Sequence, residues 1–213
     1  MKNKSNEKLD RKLKRSRLLK RNAELSFDNR KSIILKVLTW IFLIIVTIMC
    51  ALVVTYFMGQ MRVNVGQSME ATLKDGDKVL VNTIKYKMGE PKRGEVIAFK
   101  PNGNQNSYSY IRRVVGLPGD TVQIREGIIY INDRVLLESA DIPPMSFAGI
   151  AEEPVLVQED EVFVLGDNRN NSEDSRYAYI GNIKLKDIEG KVWFVTSPKE
   201  RFGFVKTIKS KVK

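Results

Sequence analysis

Three segments of the 213-residue chain concentrate the residue types that could do chemistry. The first is Val63-Asn64-Val65-Gly66-Gln67-Ser68-Met69-Glu70-Ala71-Thr72-Leu73, with a serine as its possible nucleophile. The second is Ile111-Arg112-Arg113-Val114-Val115-Gly116-Leu117-Pro118-Gly119-Asp120. The third, Leu165-Gly166-Asp167-Asn168-Arg169-Asn170-Asn171-Ser172-Glu173-Asp174-Ser175-Arg176, places two aspartates, two arginines, two serines and three asparagines directly after an apolar run. Burying such a set is costly unless its members satisfy one another. A polar turn with Asx-type bonds is the plain alternative; a network supporting a site is the sharper reading.

The chain has no histidine. That excludes a Ser-His-Asp triad, a Cys-His pair and histidine-based zinc sites together, so a hydrolase here needs another base. The single cysteine, Cys50, lies in an apolar run, which leaves the rest of the chain without a disulfide. No motif points to a metal, nucleotide or flavin, and no cofactor is expected.

The elements that must position these segments begin with that apolar run. Residues 37–61 carry no charge, and VLTWIFLIIVTIMCALVVTYFM, residues 37–58, is long enough to cross a hydrocarbon layer of roughly 30 Å. A cleavable leader would have a shorter apolar stretch and a small-residue cleavage site, so a retained anchor is expected. Of the chain's net +11, +9 falls in residues 1–36, which predicts a cytoplasmic basic tail and an external domain over residues 59–213. The basic stretch lacks interleaved aromatics and precedes the span. Attraction to anionic lipid explains it, and nucleic acid is not expected as a partner. Ser68 follows Met58 by ten residues, a short leash at no more than about 3.6 Å per residue.

Beyond the span, short β-branched runs alternate with Gly, Asn, Asp and Pro clusters. Strands are expected at Lys78 to Asn82, Glu95 to Phe99, Tyr108 to Val115, Thr121 to Ile124, Ile128 to Asn132, Glu161 to Leu165 and Lys191 to Thr196. Such an order without helices suggests a mainly β, antiparallel domain. Ser139 to Gln158, with three prolines, reads as a long surface excursion.

The three segments together resemble the bacterial type I signal peptidases, in the short form with one transmembrane helix. SMEATL is similar to that family's nucleophile box, GDKVLVN to the strand after it, RRVVGLPGD to the box carrying the base, and GDNRNNSEDSR to the late box. The resemblance implies an antiparallel-sheet catalytic domain and a membrane serine endopeptidase that removes signal peptides from exported proteins by a Ser-Lys mechanism. Its substrates would carry small residues before the cleavage site. Ser68 would be the nucleophile, and its backbone N–H an oxyanion donor. Gly66 and Met69 would join it on the oxyanion and substrate side, with an extended substrate paired near Val63 to Gly66. Ser172 would hydrogen-bond the base, Asp174 and Arg176 would form an ion pair in the wall of the site, and Asp167 would support it.

The sequence departs from the family at two positions. Ala71 replaces a usual proline, which loosens a turn. More seriously, Arg112 stands where the catalytic lysine is expected. A buried lysine can lose its proton and act as base; arginine offers no neutral form. Three explanations follow: another lysine (Lys78, Lys85, Lys87 or Lys100) serves, water or substrate assists Ser68, or the chain is a catalytically impaired, membrane-tethered peptide-binding or secretion-assembly factor.

Overall fold

The computed structural model describes residues 19–20, 31–56, 59–104, 106–139 and 142–213. Most of the basic tail, together with Phe57 and Met58 of the expected span, lies outside the described residues. The chain divides into two compact units, Met1–Val53 and Val54–Lys213.

The helix Lys31–Tyr56 is long and apolar enough to cross a membrane. Its described residues include Lys31 to Lys36, ahead of the expected boundary, where Ile33 to Leu35 add apolar side chains before the charge of Lys36. At roughly 1.5 Å per residue its 26 residues span about 39 Å, more than the hydrocarbon thickness. Thr39 Oγ1 donates to the Leu35 carbonyl and Thr47 Oγ1 to the Leu43 carbonyl, each at 2.8 Å. Both hydroxyls are thus satisfied inside the helix, as a lipid environment demands.

The second unit is β-rich. Its strands are β1 (Gln60–Val63), β2 (Lys78–Asn82), β3 (Val96–Phe99), β4 (Tyr110–Gly116), β5 (Thr121–Arg125), β6 (Ile128–Ile131), β7 (Arg134–Glu138), β8 (Val155–Leu156), β9 (Glu161–Leu165), β10 (Ile183–Lys184), β11 (Ile188–Ser197), β12 (Gly203–Phe204) and β13 (Ser210–Val212). One sheet runs β1-β2-β11-β3-β4-β9-β10, with β12 also on β11; the other runs β13-β7-β6-β5-β8. The pairings are antiparallel.

Strand alternation explains how the larger sheet feeds more than one core. Val96 and Ala98 of β3 pack with Met69, Leu73, Val79, Val81, Ile111, Val192 and Val195. Ile97 and Phe99, pointing the other way, pack with Val114, Val162, Val164, Ile180 and Ile183. In β9, Phe163 and Leu165 instead join Val115 in the core of the second sheet. Sequential hairpins β5-β6-β7 turn at Glu126-Gly127 and Asn132-Asp133, each pair with two positive φ values, as type I′ turns require.

The segment from Ser139 to Gln158 is largely exposed among its described residues, as expected, but it is pinned to the core at three points. Met145, Ala151 and Val157 are buried in the second core, and Val155 and Leu156 pair with β5 as β8. Its apolar residues fall at irregular spacing between prolines, so no period reveals them.

Candidate active site

Ser68 sits in the loop between β1 and β2. Gly66 adopts a φ of 82°, a left-handed value that glycine takes without steric cost, and its N–H donates to Asp75 Oδ1 at 2.7 Å. The loop closes where Asn64 N–H meets the Asp77 carbonyl at 2.8 Å and Gly76 N–H the Asn64 carbonyl at 2.9 Å. After Ser68 a single tight turn forms, with Thr72 and Leu73 N–H groups donating to the Met69 carbonyl at 2.7 and 2.6 Å. Met69 and Leu73 are fully buried. They anchor the turn from below and fix Ser68 above it. Met69 therefore spends its side chain in the core and is not among the residues lining the cavity beside Ser68.

That cavity, of about 490 Å³, is lined by Val65, Gly66 and Ser68 from the loop, by Tyr110, Ile111 and Arg112 from β4, and by Ser172 and Glu173 from the late box. Ser68 is buried, and neither its Oγ nor that of Ser172 has a hydrogen-bond partner among the described residues. Gly166 lies between the two serines. A Cβ there would fall 2.5 Å from the Ser68 carbonyl oxygen and closer still to Ser172 Oγ. Asn168 laces the layers together: its N–H donates to the Ser68 carbonyl at 2.9 Å and its Nδ2 to the Gln67 carbonyl at 3.1 Å.

Behind this surface lie two buried ion pairs. Asp174 receives Arg176 Nε at 2.8 Å and Nη2 at 2.9 Å, and its Oδ2 also accepts the Gly166 N–H at 3.0 Å. Arg176 Nη1 continues to the Phe147 carbonyl. Asp167 receives Arg113 Nε at 2.7 Å and Nη2 at 2.6 Å, and accepts the Thr72 hydroxyl. Asp167 thus holds the far side of the Ser68 turn and stays out of the cavity, whereas the Asp174 pair backs the strand end at Gly166. The partners Arg113 and Thr72 carried no separate sign in the sequence, although an arginine inside an otherwise apolar strand demands a buried counter-charge.

Arg112 and Arg113 are neighbours on β4 and so project to opposite faces. Arg112 Nε donates to the Glu173 carbonyl at 2.8 Å and Nη1 to the Ile111 carbonyl at 2.7 Å, while its guanidinium lies 5.1 Å from the centre of the Tyr110 ring. Burial pushes its ionisation below the ordinary arginine value, and the negative charge of Asp174 opposes that shift. Arginine nevertheless keeps its proton in proteins.

No lysine among the described residues lines the cavity. Lys85 pairs with Glu95 at 3.7 Å, and Lys100 Nζ donates to the Ser107 carbonyl at 2.6 Å; Lys78 and Lys87 are likewise absent from the lining. Asn170 and Asn171 of the late segment also line it, and unforeseen in the sequence are Tyr108, Tyr110 and Tyr177, which add to the wall. β1, an edge strand paired with β2, leads into the loop that lines the cavity, with Met61 and Val63 exposed on it and Val65 exposed just beyond it.

The family model described as signal peptidase, peptidase S26, matches residues 37–197. A signal peptidase I of Bacillus licheniformis is 35% identical over 75% of this chain and 88% of its own. A probable signal peptidase I-2 of Synechocystis is 32% identical over 78% of each chain. A crystal structure of a signal peptidase I from Enterococcus faecalis V583 is 32% identical, covering 48% of this chain and 97% of its own with a TM-score of 0.38. The matched span includes all three chemistry-bearing segments, and the chain belongs to the signal peptidases of peptidase family S26.

Proposed function

We propose that this chain is a membrane-bound serine endopeptidase that removes N-terminal signal peptides from exported proteins, with Ser68 as its nucleophile. The observation carrying this reading is the Ser68 hydroxyl, buried without a partner among the described residues in a groove it shares with Arg112 and Ser172, in a chain of the signal peptidase family. An extended signal peptide lies along the edge of β1, pairs with Val63 to Gly66, and presents the carbonyl after a small residue to Ser68 Oγ. The Ser68 N–H donates to the developing oxyanion. Asp167, Asp174, Arg176 and Ser172 hold the walls.

Arg112 cannot take the Ser68 proton. Water admitted by the open groove takes it, and the Arg112 guanidinium stabilises the alkoxide left behind. A positioned base contributes typically about 10²–10⁴-fold, so turnover is slow beside that of an enzyme with lysine here. The basic tail of residues 1–36 stays in the cytoplasm next to anionic lipid, the apolar helix spans the bilayer, and residues 59–213 work on its other face. Nucleic acid has no part in this reading.

The second reading is a peptide-holding factor without turnover, and the arginine at the base position is the observation that favours it. Incubation of the detergent-solubilised protein with a preprotein carrying an A-x-A site separates the two. Cleavage after the small residue, read by N-terminal sequencing, supports the peptidase; an intact preprotein bound to the chain supports the holding factor. Protease digestion of sealed vesicles tests the orientation, with residues 59–213 expected on the non-cytoplasmic side.

A further inference from the structure

Arg112, Arg113, Arg169 and Arg176 are all buried. Three of them meet a carboxylate: Arg113 pairs with Asp167 at 2.6 Å, Arg169 with Glu138 at 2.7 Å and Arg176 with Asp174 at 2.8 Å. Arg112 makes no such pair among the described residues. At 6% exposure it is buried, though the least withdrawn of the four; its bonds go to two carbonyl oxygens, and Nη2 donates to nothing among the described residues. Glu173 lines the same cavity, but its carboxylate makes no ion pair with Arg112, to which it offers its backbone carbonyl.

Asp174 and Glu173 act on the Arg112 charge only from a distance, and a buried guanidinium with no carboxylate in direct contact among the described residues is unfavourable. Here it lines a cavity that also holds a serine hydroxyl with no partner among the described residues. A planar cation with free N–H groups beside a hydroxyl suits one ligand chemistry above others, a carboxylate, which accepts two parallel hydrogen bonds.

We propose that Arg112 is a carboxylate-binding residue and that the groove retains the cleaved peptide by the α-carboxylate newly formed beside Ser68. This rests on the peptidase reading of Ser68. In the second half of that reaction a water oxygen bonds to the acyl carbon and the bond from that carbon to Ser68 Oγ breaks. One proton of the water returns to Ser68 Oγ and the other leaves to solvent, so the peptide departs as an anion. A lysine acting as base must be neutral for its first step, whereas Arg112 is a cation throughout. The product therefore meets a fixed counter-charge where the substrate, with an uncharged peptide bond, meets none. The enzyme is inhibited by its own product.

Binding of three synthetic peptides to the full chain in detergent tests this. All share one signal-type sequence ending in a small residue: one ends as the free acid, one as the carboxamide, and one as the carboxamide with aspartate at the penultimate position. The free acid is expected to bind about tenfold or more tighter than the carboxamide, with the aspartate peptide close to the carboxamide. In Arg112→Met the acid preference shrinks to within about twofold, and Arg112→Lys, a point charge without the fork, falls between.

Equal affinity of acid and carboxamide for the parent chain overturns the proposal, and that comparison needs no variant to fold. An aspartate peptide binding as tightly as the free acid overturns the α-carboxylate assignment, as does an acid preference that survives in Arg112→Met. Cleavage of a preprotein without any acid preference defeats only this inference; an acid preference without cleavage defeats only the peptidase reading.

Discussion

The Nε of Arg112 donates to the backbone carbonyl of Glu173 at 2.8 Å. This one bond ties the β4 residue lining the groove to the loop that carries Ser172. At the end of the side chain, Nη1 turns back to the Ile111 carbonyl of its own strand at 2.7 Å.

Arg112→Lys supplies a group that can lose its proton in apolar surroundings. It is expected to raise kcat/KM for a preprotein by about 10²–10⁴-fold. The pH profile carries a second signature. Arg112 stays protonated throughout, so the parent rate should climb by roughly tenfold per unit between about pH 7 and pH 9. In Arg112→Lys the rate should level off once the lysine is neutral. A parent profile that itself levels off over this range would reveal a titrating base elsewhere.

Asp167 lies under the Ser68 turn with its carboxylate wholly enclosed by Arg113 and Thr72. Removing it leaves Arg113 charged and unpaired. Asp167→Ala should lower the unfolding free energy by about 3–5 kcal/mol in a denaturant titration. A loss below about 1 kcal/mol would mean that Arg113 finds solvent or another partner.

Gly166 separates the two serines of the groove, and any Cβ there collides with the Ser68 carbonyl oxygen and with Ser172. Gly166→Ala should cost about tenfold or more in kcat with a smaller change in KM, since it displaces the nucleophile by a fraction of an ångström. Unchanged kcat would show that the Ser68 loop yields without consequence.

Glu95 supplies a pH test of stability away from the groove. Burial pushes its carboxyl up, but hydrogen bonds from Lys191 Nζ, the Lys92 N–H and the Tyr86 hydroxyl outweigh burial and hold it below the ordinary value. A group lowered on folding stabilises above its unfolded value, and that contribution is lost as pH falls through the lowered one. Thermal unfolding of the parent should therefore weaken below about pH 4, and less steeply in Glu95→Gln.

The sequence made the chemistry more legible than the walls that hold it. Ser68, Arg112 and Ser172 lie in short segments dense in polar residues next to apolar strands, and the structure brings them to one cavity. The strands at Lys78–Asn82 and Glu161–Leu165 match their expected bounds, because β-branched runs closed by turn residues leave little freedom. Tyr108, Tyr110 and Tyr177 could not be placed. A tyrosine reads equally as core or surface until the elements around it are known, and of the three Tyr110 alone lies on a strand. The packed stretch around Met145 and Ala151 was hidden for a related reason: burial there follows from tertiary contacts with β5 and β6, which local spacing does not encode. The Arg113–Asp167 pair joins residues 54 apart in sequence, and only the β4-β9 pairing brings them together.

Cleavage of a preprotein with an A-x-A site by the parent chain and by Ser68→Ala, side by side in detergent, tests the central claim most directly. The parent is expected to release the mature protein slowly and Ser68→Ala to release none, with both variants binding the preprotein alike. Equal cleavage by both, or none by the parent under conditions where it binds, would contradict Ser68 as the nucleophile of a working signal peptidase.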